Sequence, residues 1–167
     1  MATSRQQMIS IFTLLLLGGV IFSGARPTQS KAMALDVPNV AITFPANGSS
    51  MRAIAFTGIR GTFTVPPGCR NVRVKVSLGK QESDEEWAQD SGGTYKWVTG
   101  PTGQWLPTGA SAGRWSAPTA AYRLPSGANL PVGSYVIYAY AEGEAIPQTS
   151  DQCKSKQERI AFKITGR

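Results

Sequence analysis

Two segments near the C-terminus, residues 133–141 and 159–165, alternate between apolar and polar side chains with a period of two. Successive side chains of a β-strand point to opposite faces, so this pattern predicts two half-buried strands. A short polar loop joins them, which favours an antiparallel pair at the end of a β-sandwich. The predicted inward positions are Tyr135, Ile137, Ala139 and Ala141 in the first strand, and Ile160, Phe162 and Ile164 in the second.

Earlier segments show the same period. Residues 40–44 predict a short first strand between two prolines, with Val40, Ile42 and Phe44 facing inward. Residues 54–65 predict a second strand that would bury Ile59, Phe63 and Val65, and its two glycines, at 58 and 61, indicate close backbone packing or a bulge. Residues 72–78 alternate most regularly and predict a third strand.

Residues 79–118 have a different composition, because they hold all four tryptophans among glycine, serine, threonine and acidic residues. A structureless loop of this length is unusual inside a domain. We therefore expect two or three short strands here, around residues 95–98 and 114–117, with turns at 92–93 and 101–103. The whole pattern predicts an all-β, antiparallel sandwich of about seven to nine strands.

The N-terminus predicts an export signal. Arg5 precedes an apolar run from Met8 to Phe22, and small-residue cleavage sites follow at Ala25 and Ala34. Since about 15 apolar residues fall short of a bilayer-spanning helix, a cleaved signal peptide is favoured over a retained anchor. We expect residues 1–34 to be removed and residues 35–167 to form one domain without a membrane span. The periplasm, the cell surface and the medium all fit such a protein.

The charge of the chain bears on its possible partners, and its cysteine content bears on disulfide formation. The whole chain has a net charge of +7, but residues 35–167 keep 14 basic against 10 acidic residues, a net charge of +4. Because the basic residues are not clustered, nucleic-acid binding is excluded. The chain has two cysteines, Cys69 and Cys153. In an exported protein this even number favours one disulfide over two buried thiols.

The chain contains no histidine, which excludes the usual Ser-His-Asp and Cys-His catalytic systems and histidine-ligated zinc. We predict no catalytic residue, no cofactor and no metal. One acidic stretch leaves a carboxylate-dependent hydrolase or weak Ca²⁺ binding as alternatives to a solvated loop. Its members are Glu82, Asp84, Glu85, Glu86 and Asp90.

The order of the motifs resembles bacterial Ig-like, or fibronectin-III-like, modules of surface and secreted proteins. The similarity is carried by residues 44–49, 59–62 and 72–76, then by Arg114-Trp115-Ser116 and residues 130–137. The resemblance implies that Cys69 lies between the second and third strands and Cys153 between the last two, at the same end of the sandwich. It also implies that the third strand pairs with the penultimate one.

Such pairing would bring basic and aromatic side chains onto one outward face. We call this candidate binding face the Tyr/Arg face. Arginine and tyrosine together suit a protein interface or an acidic glycan, although an ordinary sheet face is the simpler alternative. Its members are Arg73, Lys75, Tyr138, Tyr140 and Lys163, with Arg159 beside them.

The tryptophans support a second hypothesis. Exposed indole rings stack on sugars, so Trp87, Trp97 and Trp105 are candidate glycan contacts, whereas Trp115 is expected in the core. The sequence therefore predicts an exported, non-enzymatic module that binds an envelope or extracellular protein, with a small carbohydrate-binding module as the alternative. Buried tryptophans beside a tyrosine- and arginine-rich face would favour the protein partner.

Overall fold

Alternating side chains build two sheets in the computed structural model, which describes residues 37–119, 124–125, 130–146 and 153–166. These residues belong to one unit, Ala34–Arg167. The predicted signal peptide, residues 1–34, lies outside the described residues. The eleven strands are β1 (Asn39–Phe44), β2 (Ser50–Arg52), β3 (Gly58–Thr64), β4 (Cys69–Lys80), β5 (Glu85–Gln89), β6 (Tyr95–Thr99), β7 (Leu106–Pro107), β8 (Gly109–Ser111), β9 (Arg114–Pro118), β10 (Gly133–Ala145) and β11 (Glu158–Gly166).

The smaller sheet has four strands in the order β1-β3-β9-β8. The larger sheet has seven, in the order β2-β11-β10-β4-β5-β6, and β7 also pairs with β4. All these pairings are antiparallel except that of β2 with β11, which is parallel. A short 3-10 helix, Ala53–Ala55, connects β2 to β3. The arrangement is all-β and consistent with a β-sandwich, as expected.

The core lies between the inward faces of the two sheets. The predicted inward residues of β10 and β11 are all buried, so the register predicted for these strands is confirmed. From the smaller sheet, Val40, Ile59 and Trp115 enter the same core. Burying side chains of this size removes enough apolar surface from water to drive the two sheets together.

Two predicted inward residues are not in the core. Val65 follows β3 and is 50% exposed. Phe44 comes after a register shift in β1 and pairs with the exposed Arg60, so its ring lies against that side chain on the outward face.

Two glycines allow close approach within the smaller sheet, as the sequence indicated. A Cβ atom on Gly61 would collide with the carbonyl oxygen of Ala41 and the ring of Trp115. Gly58 has a φ of +134° and would likewise meet the backbone at Ala117. Only glycine tolerates that backbone conformation and that contact together. The indole of Trp115 can therefore lie flat against β3.

The predicted disulfide between Cys69 and Cys153 is present, and it joins Cα atoms 5.7 Å apart. Cys153 lies between β10 and β11, as expected. Cys69 is not in a loop but is the first residue of β4, where it pairs with Ala145. Because the crosslink spans 84 residues, loop-closure entropy assigns it a stabilisation of about 4 kcal/mol.

Eleven strands exceed the expected seven to nine, and the acidic stretch accounts for part of the difference. Residues 85–89 form β5 instead of continuing a solvated loop. Trp87 and Ala88 are buried there, while Glu86 is half-buried and pairs with Gly79 of β4. Trp87 lies between the acidic residues, and its burial brings this segment into the core. The strands predicted around residues 95–98 and 114–117 are confirmed as β6 and β9.

Candidate functional site

The outward face of the larger sheet holds the predicted Tyr/Arg face. The third long strand does pair with the penultimate one, because β4 and β10 are antiparallel neighbours. Their register places Lys75 opposite Tyr140, and Glu142 opposite Arg73. On the other side of β10, Tyr138 lies opposite Arg159 of β11. Directly opposite residues of adjacent strands point to the same side of the sheet, so these side chains share one face.

The hypothesis of an exposed face requires an accessible Tyr140. In the structure, however, Tyr140 is only 9% exposed. The ring of Trp105 meets it edge-on, with 4.5 Å between the ring centroids. The Nζ of Lys154 lies 5.1 Å from the Tyr140 ring centroid, and that of Lys75 lies 6.0 Å from it. Ammonium groups at these distances are attracted to the ring face. The outward face thus has a small aromatic cluster with its own cations.

The indole of Trp105 reaches this position because the chain before β7 is bonded to the larger sheet. Leu106 pairs with Val76 and is buried, so its neighbour Trp105 points outward. The side chain of Gln104 accepts a hydrogen bond from the backbone N–H of Gln89 at 2.9 Å and donates one to its carbonyl oxygen at 2.9 Å. The Gln104 side chain thus makes the two hydrogen bonds that the backbone of a neighbouring strand would make, and it holds residues 104–107 over the sheet.

A carboxylate neutralises one of the predicted cations. Lys75 Nζ lies 2.5 Å from Glu142 Oε1. The hydrogen bond from Lys75 lowers the pKa of the Glu142 carboxyl, and the same bond raises the pKa of Lys75. Arg70 and Glu144 form a second ion pair at 2.9 Å, farther along β4 and β10. These pairs fix the side chains near Tyr140 and leave less net positive charge than the sequence suggested.

Tyr138, Arg73 and Arg159 form the more accessible part of the face. The guanidinium carbon of Arg159 lies 5.9 Å from the Tyr138 ring centroid, and its Nε donates to the phenol oxygen at 3.4 Å. Arg73 is exposed. Lys163 lies opposite Ser134, four residues along β11 from Arg159, which is about 13 Å at the usual rise of a strand. The structure therefore brings Tyr138 together with Arg159 and places Lys163 apart from them.

The tryptophans proposed as glycan contacts do not share one surface. Trp87 is 7% exposed and lies in the core, where its ring meets Trp97 at 5.3 Å. Trp97 is half-buried against Tyr135, with the ammonium group of Lys80 at 4.8 Å from its ring centroid. Trp105 alone faces outward. Trp115 is 2% exposed, which confirms its place in the core.

Most acidic side chains of the 82–90 stretch already have partners in the chain. Glu85 bonds Lys80 and Ser83, and the hydrogen bond from Lys80 lowers its carboxyl pKa most. Asp90 accepts backbone N–H groups at the turn after β5 and pairs with Lys96 at 2.9 Å, which lowers its carboxyl pKa. Glu86 accepts from Thr102. Among the described residues, no three acidic, cysteine or histidine side chains gather as a metal site would need.

The chain matches no protein-family model and no curated protein sequence. A disulfide is compatible with an extracellular protein. Within the part of the chain that the structure describes, no helix is long and apolar enough to cross a membrane.

Proposed function

We propose that this chain is an exported, non-enzymatic Ig-like module that binds a protein partner through the outward face of the larger sheet. The observation that carries the proposal is the joint presence of Trp105, Tyr138 and Tyr140 with arginine and lysine on one face. Aromatic residues and arginine contribute most of the binding energy in protein interfaces. An envelope or extracellular protein with an acidic rim would complement this surface.

Strand order supports the Ig-like assignment. Labelled in chain order, the smaller sheet follows the A-B-E-D order of Ig domains, and β11, β10 and β4 follow G-F-C. The added strands β5 and β6 lie beside β4, where variable-type domains carry two extra strands. Near the start of β10, the Tyr135 hydroxyl donates to the carbonyl oxygen of Pro131 at 2.5 Å. A tyrosine at this place that bonds backward along the chain is a feature of Ig domains.

Rigidity supports a role in binding. Trp105 and Tyr140 pack against each other, and the Lys75–Glu142 pair holds the neighbouring charge in place. Side chains that are already ordered lose little conformational entropy when a partner docks. Tyr138 and Arg73 remain accessible beside this ordered cluster, so a partner would contact them first.

The test combines Arg73→Glu with Tyr138→Ala in the mature, oxidised protein, which is used to capture partners from a cell-envelope extract. We expect loss of the captured proteins with a nearly unchanged thermal midpoint, because both side chains point away from the core. Lys96→Glu is the charge-matched control. Its side chain is 59% exposed on β6, at the edge of the larger sheet, and it should retain the partners.

Full retention of partners by the double variant would contradict the proposal. Glycan binding through this outward face would be favoured instead if Trp105→Ala abolished retention on an insoluble neutral polysaccharide.

A further inference from the structure

The outward face of the smaller sheet has a second, different concavity. It is an open groove of about 750 Å³ that crosses β1, β3, β9 and β8. Its aromatic lining residue, Trp115, is 2% exposed, and the other lining side chains are polar, charged or small. The side chains that define it are Thr43, Arg60, Thr62, Ser111, Arg114 and Ser116.

The two arginines are arranged so that one extended ligand can meet both. Arg60 lies opposite Ser116, and Arg114 lies opposite Thr62, on the adjacent strands β3 and β9. The arginines therefore occupy diagonal positions on one face, which separates their Cα atoms by about 7–8 Å. The guanidinium carbon of Arg60 stacks 4.5 Å from the Phe44 ring centroid, which holds this side chain in place.

Neither guanidinium is neutralised by a described carboxylate. The ion pairs between described residues involve other cations, and Arg60 has only a 3.4 Å contact from Nη2 to the hydroxyl of Thr57. All eight described acidic residues lie in the larger sheet or its connections. The groove therefore combines two planar cations with hydroxyl groups in a region where no described residue supplies an opposing charge. The guanidinium fork matches the geometry of a carboxylate.

We propose that this groove binds an acidic polysaccharide, whose carboxylates would pair with Arg60 and Arg114 while its hydroxyls bond the serine and threonine side chains. An extended glycan carries charged groups at a regular spacing, which suits two cations on neighbouring strands. A peptide partner usually docks through large apolar or aromatic side chains, and besides the buried Trp115 the side chains that line this groove are polar, charged or small. A nucleic acid would need exposed aromatic rings for base stacking and a longer basic track. This site is independent of the Tyr/Arg face on the opposite side.

The experiment measures binding of a short oligogalacturonate to the full mature protein by titration calorimetry, with a neutral oligosaccharide of similar length as the reference ligand. Arg60→Gln and Arg114→Gln should each weaken binding about fivefold, and the double variant should weaken it further. The control is Lys96→Gln, which removes one positive charge from β6 at the edge of the larger sheet and should leave the affinity unchanged. Unchanged thermal midpoints would show that the variants remain folded.

Three results would overturn the proposal. Equal weakening by Lys96→Gln would show that only net charge matters. Equal affinity for the neutral oligosaccharide would show that the two arginines do not bind the carboxylates of the glycan. Tighter binding of a single-stranded oligonucleotide that is lost in the same double variant would assign the groove to a nucleic acid.

Discussion

The two faces of the larger sheet use aromatic residues in different ways, although the same strands build both. On the inward face, Tyr135 lies between Trp97 and Phe162, with ring centroids 5.6 and 5.4 Å away. On the outward face, Trp105 and Tyr140 meet at 4.5 Å. Tyr135 is 1% exposed, whereas Tyr140 retains 9%. The inward rings fill the space between the sheets, and the outward rings form a cluster that two lysines surround.

The difference shows that burial alone does not separate a core cluster from a surface cluster. Tyr140 is nearly as inaccessible as a core residue, yet its neighbours include Lys75, Lys154 and, through Lys75, the carboxylate of Glu142. Charged neighbours keep a cluster at the surface, because ammonium and carboxylate groups lose much free energy when they leave water. We therefore expect stability to depend mainly on the inward face and binding to depend mainly on the outward one.

Tyr135→Ala should produce the largest loss of stability among these variants. We expect it to lower the free energy of unfolding by at least about 3 kcal/mol, because it empties core volume between Trp97 and Phe162. The matched variant Tyr138→Ala, on the outward side of the same strand, should lose less than about 1 kcal/mol. Urea unfolding of both variants provides the measurement. Equal losses of unfolding free energy in the two variants would mean that stability does not depend mainly on the inward face.

The sequence predicted the inward face well, because alternation with a period of two is a local property of each strand. The positions of Tyr135, Ile137 and Phe162 follow from their spacing alone. Two further features were also predictable from residue type, namely the close backbone packing at Gly58 and Gly61 and the Cys69–Cys153 bond. Glycine within a strand usually marks close packing or a bulge, and a pair of cysteines in an exported protein usually forms a disulfide. The strand β5 was missed because acidic residues dominate its composition.

The outward cluster was only half predictable. The pairing of β4 with β10 brings Lys75 beside Tyr140, and that much follows from the expected strand order. The placement of Trp105 depends on the side chain of Gln104 bonding to the backbone of Gln89. Contacts between residues 15 apart in a glycine-rich segment have no periodic signal. The groove beside Arg60 and Arg114 was missed for a similar reason, since isolated arginines among threonine and serine are common on protein surfaces.

Raising the pH tests the inward face through its tyrosine. Burial raises the pKa of Tyr135 from 10.0 to about 12. The unfolded chain therefore ionises this phenol before the folded protein does, and stability falls as the pH rises from 10.0 through about 12. This one group should account for a loss of about 2 kcal/mol.

In Tyr135→Phe that alkaline loss should be smaller, while stability at neutral pH should fall by about 1 kcal/mol because the hydrogen bond to Pro131 is lost. Urea unfolding at neutral and alkaline pH measures both effects. Part of the alkaline loss should remain, since burial also raises the pKa of Tyr140. Tyr138→Phe is the matched control and should follow the wild-type curve. A curve for Tyr135→Phe that coincides with the wild type would show that Tyr135 does not keep its proton in the folded state.

Trp105→Ala tests whether the outward cluster contributes to stability. We expect a loss of about 1 kcal/mol, the usual value of an edge-to-face ring pair at a partly exposed site. Trp105→Phe keeps an aromatic edge against Tyr140 and should lose about half as much. Thermal unfolding followed by circular dichroism gives both values. A loss as large as that of Tyr135→Ala would show that the outward cluster stabilises the fold as much as the inward face does.

Acidification should produce the smallest effect, and it probes the charge that distinguishes the outward cluster. The hydrogen bond from Lys75 holds the pKa of Glu142 below its ordinary value of 4.5. A carboxyl with a depressed pKa stabilises the folded state fully above its ordinary pKa, and this contribution is lost as the pH falls through the folded value. The two side chains are 34% and 36% exposed, so solvent screening limits the contribution to about 0.5 kcal/mol.

Glu142→Gln should therefore unfold slightly more easily than the wild type at neutral pH, and the stabilities of the two proteins should converge below pH 4.5. Glu158→Gln is the matched control, because it removes a carboxylate that belongs to none of the ion pairs between described residues. If the difference between Glu142→Gln and the wild type persisted in acid, packing and not charge would hold Lys75 beside Tyr140.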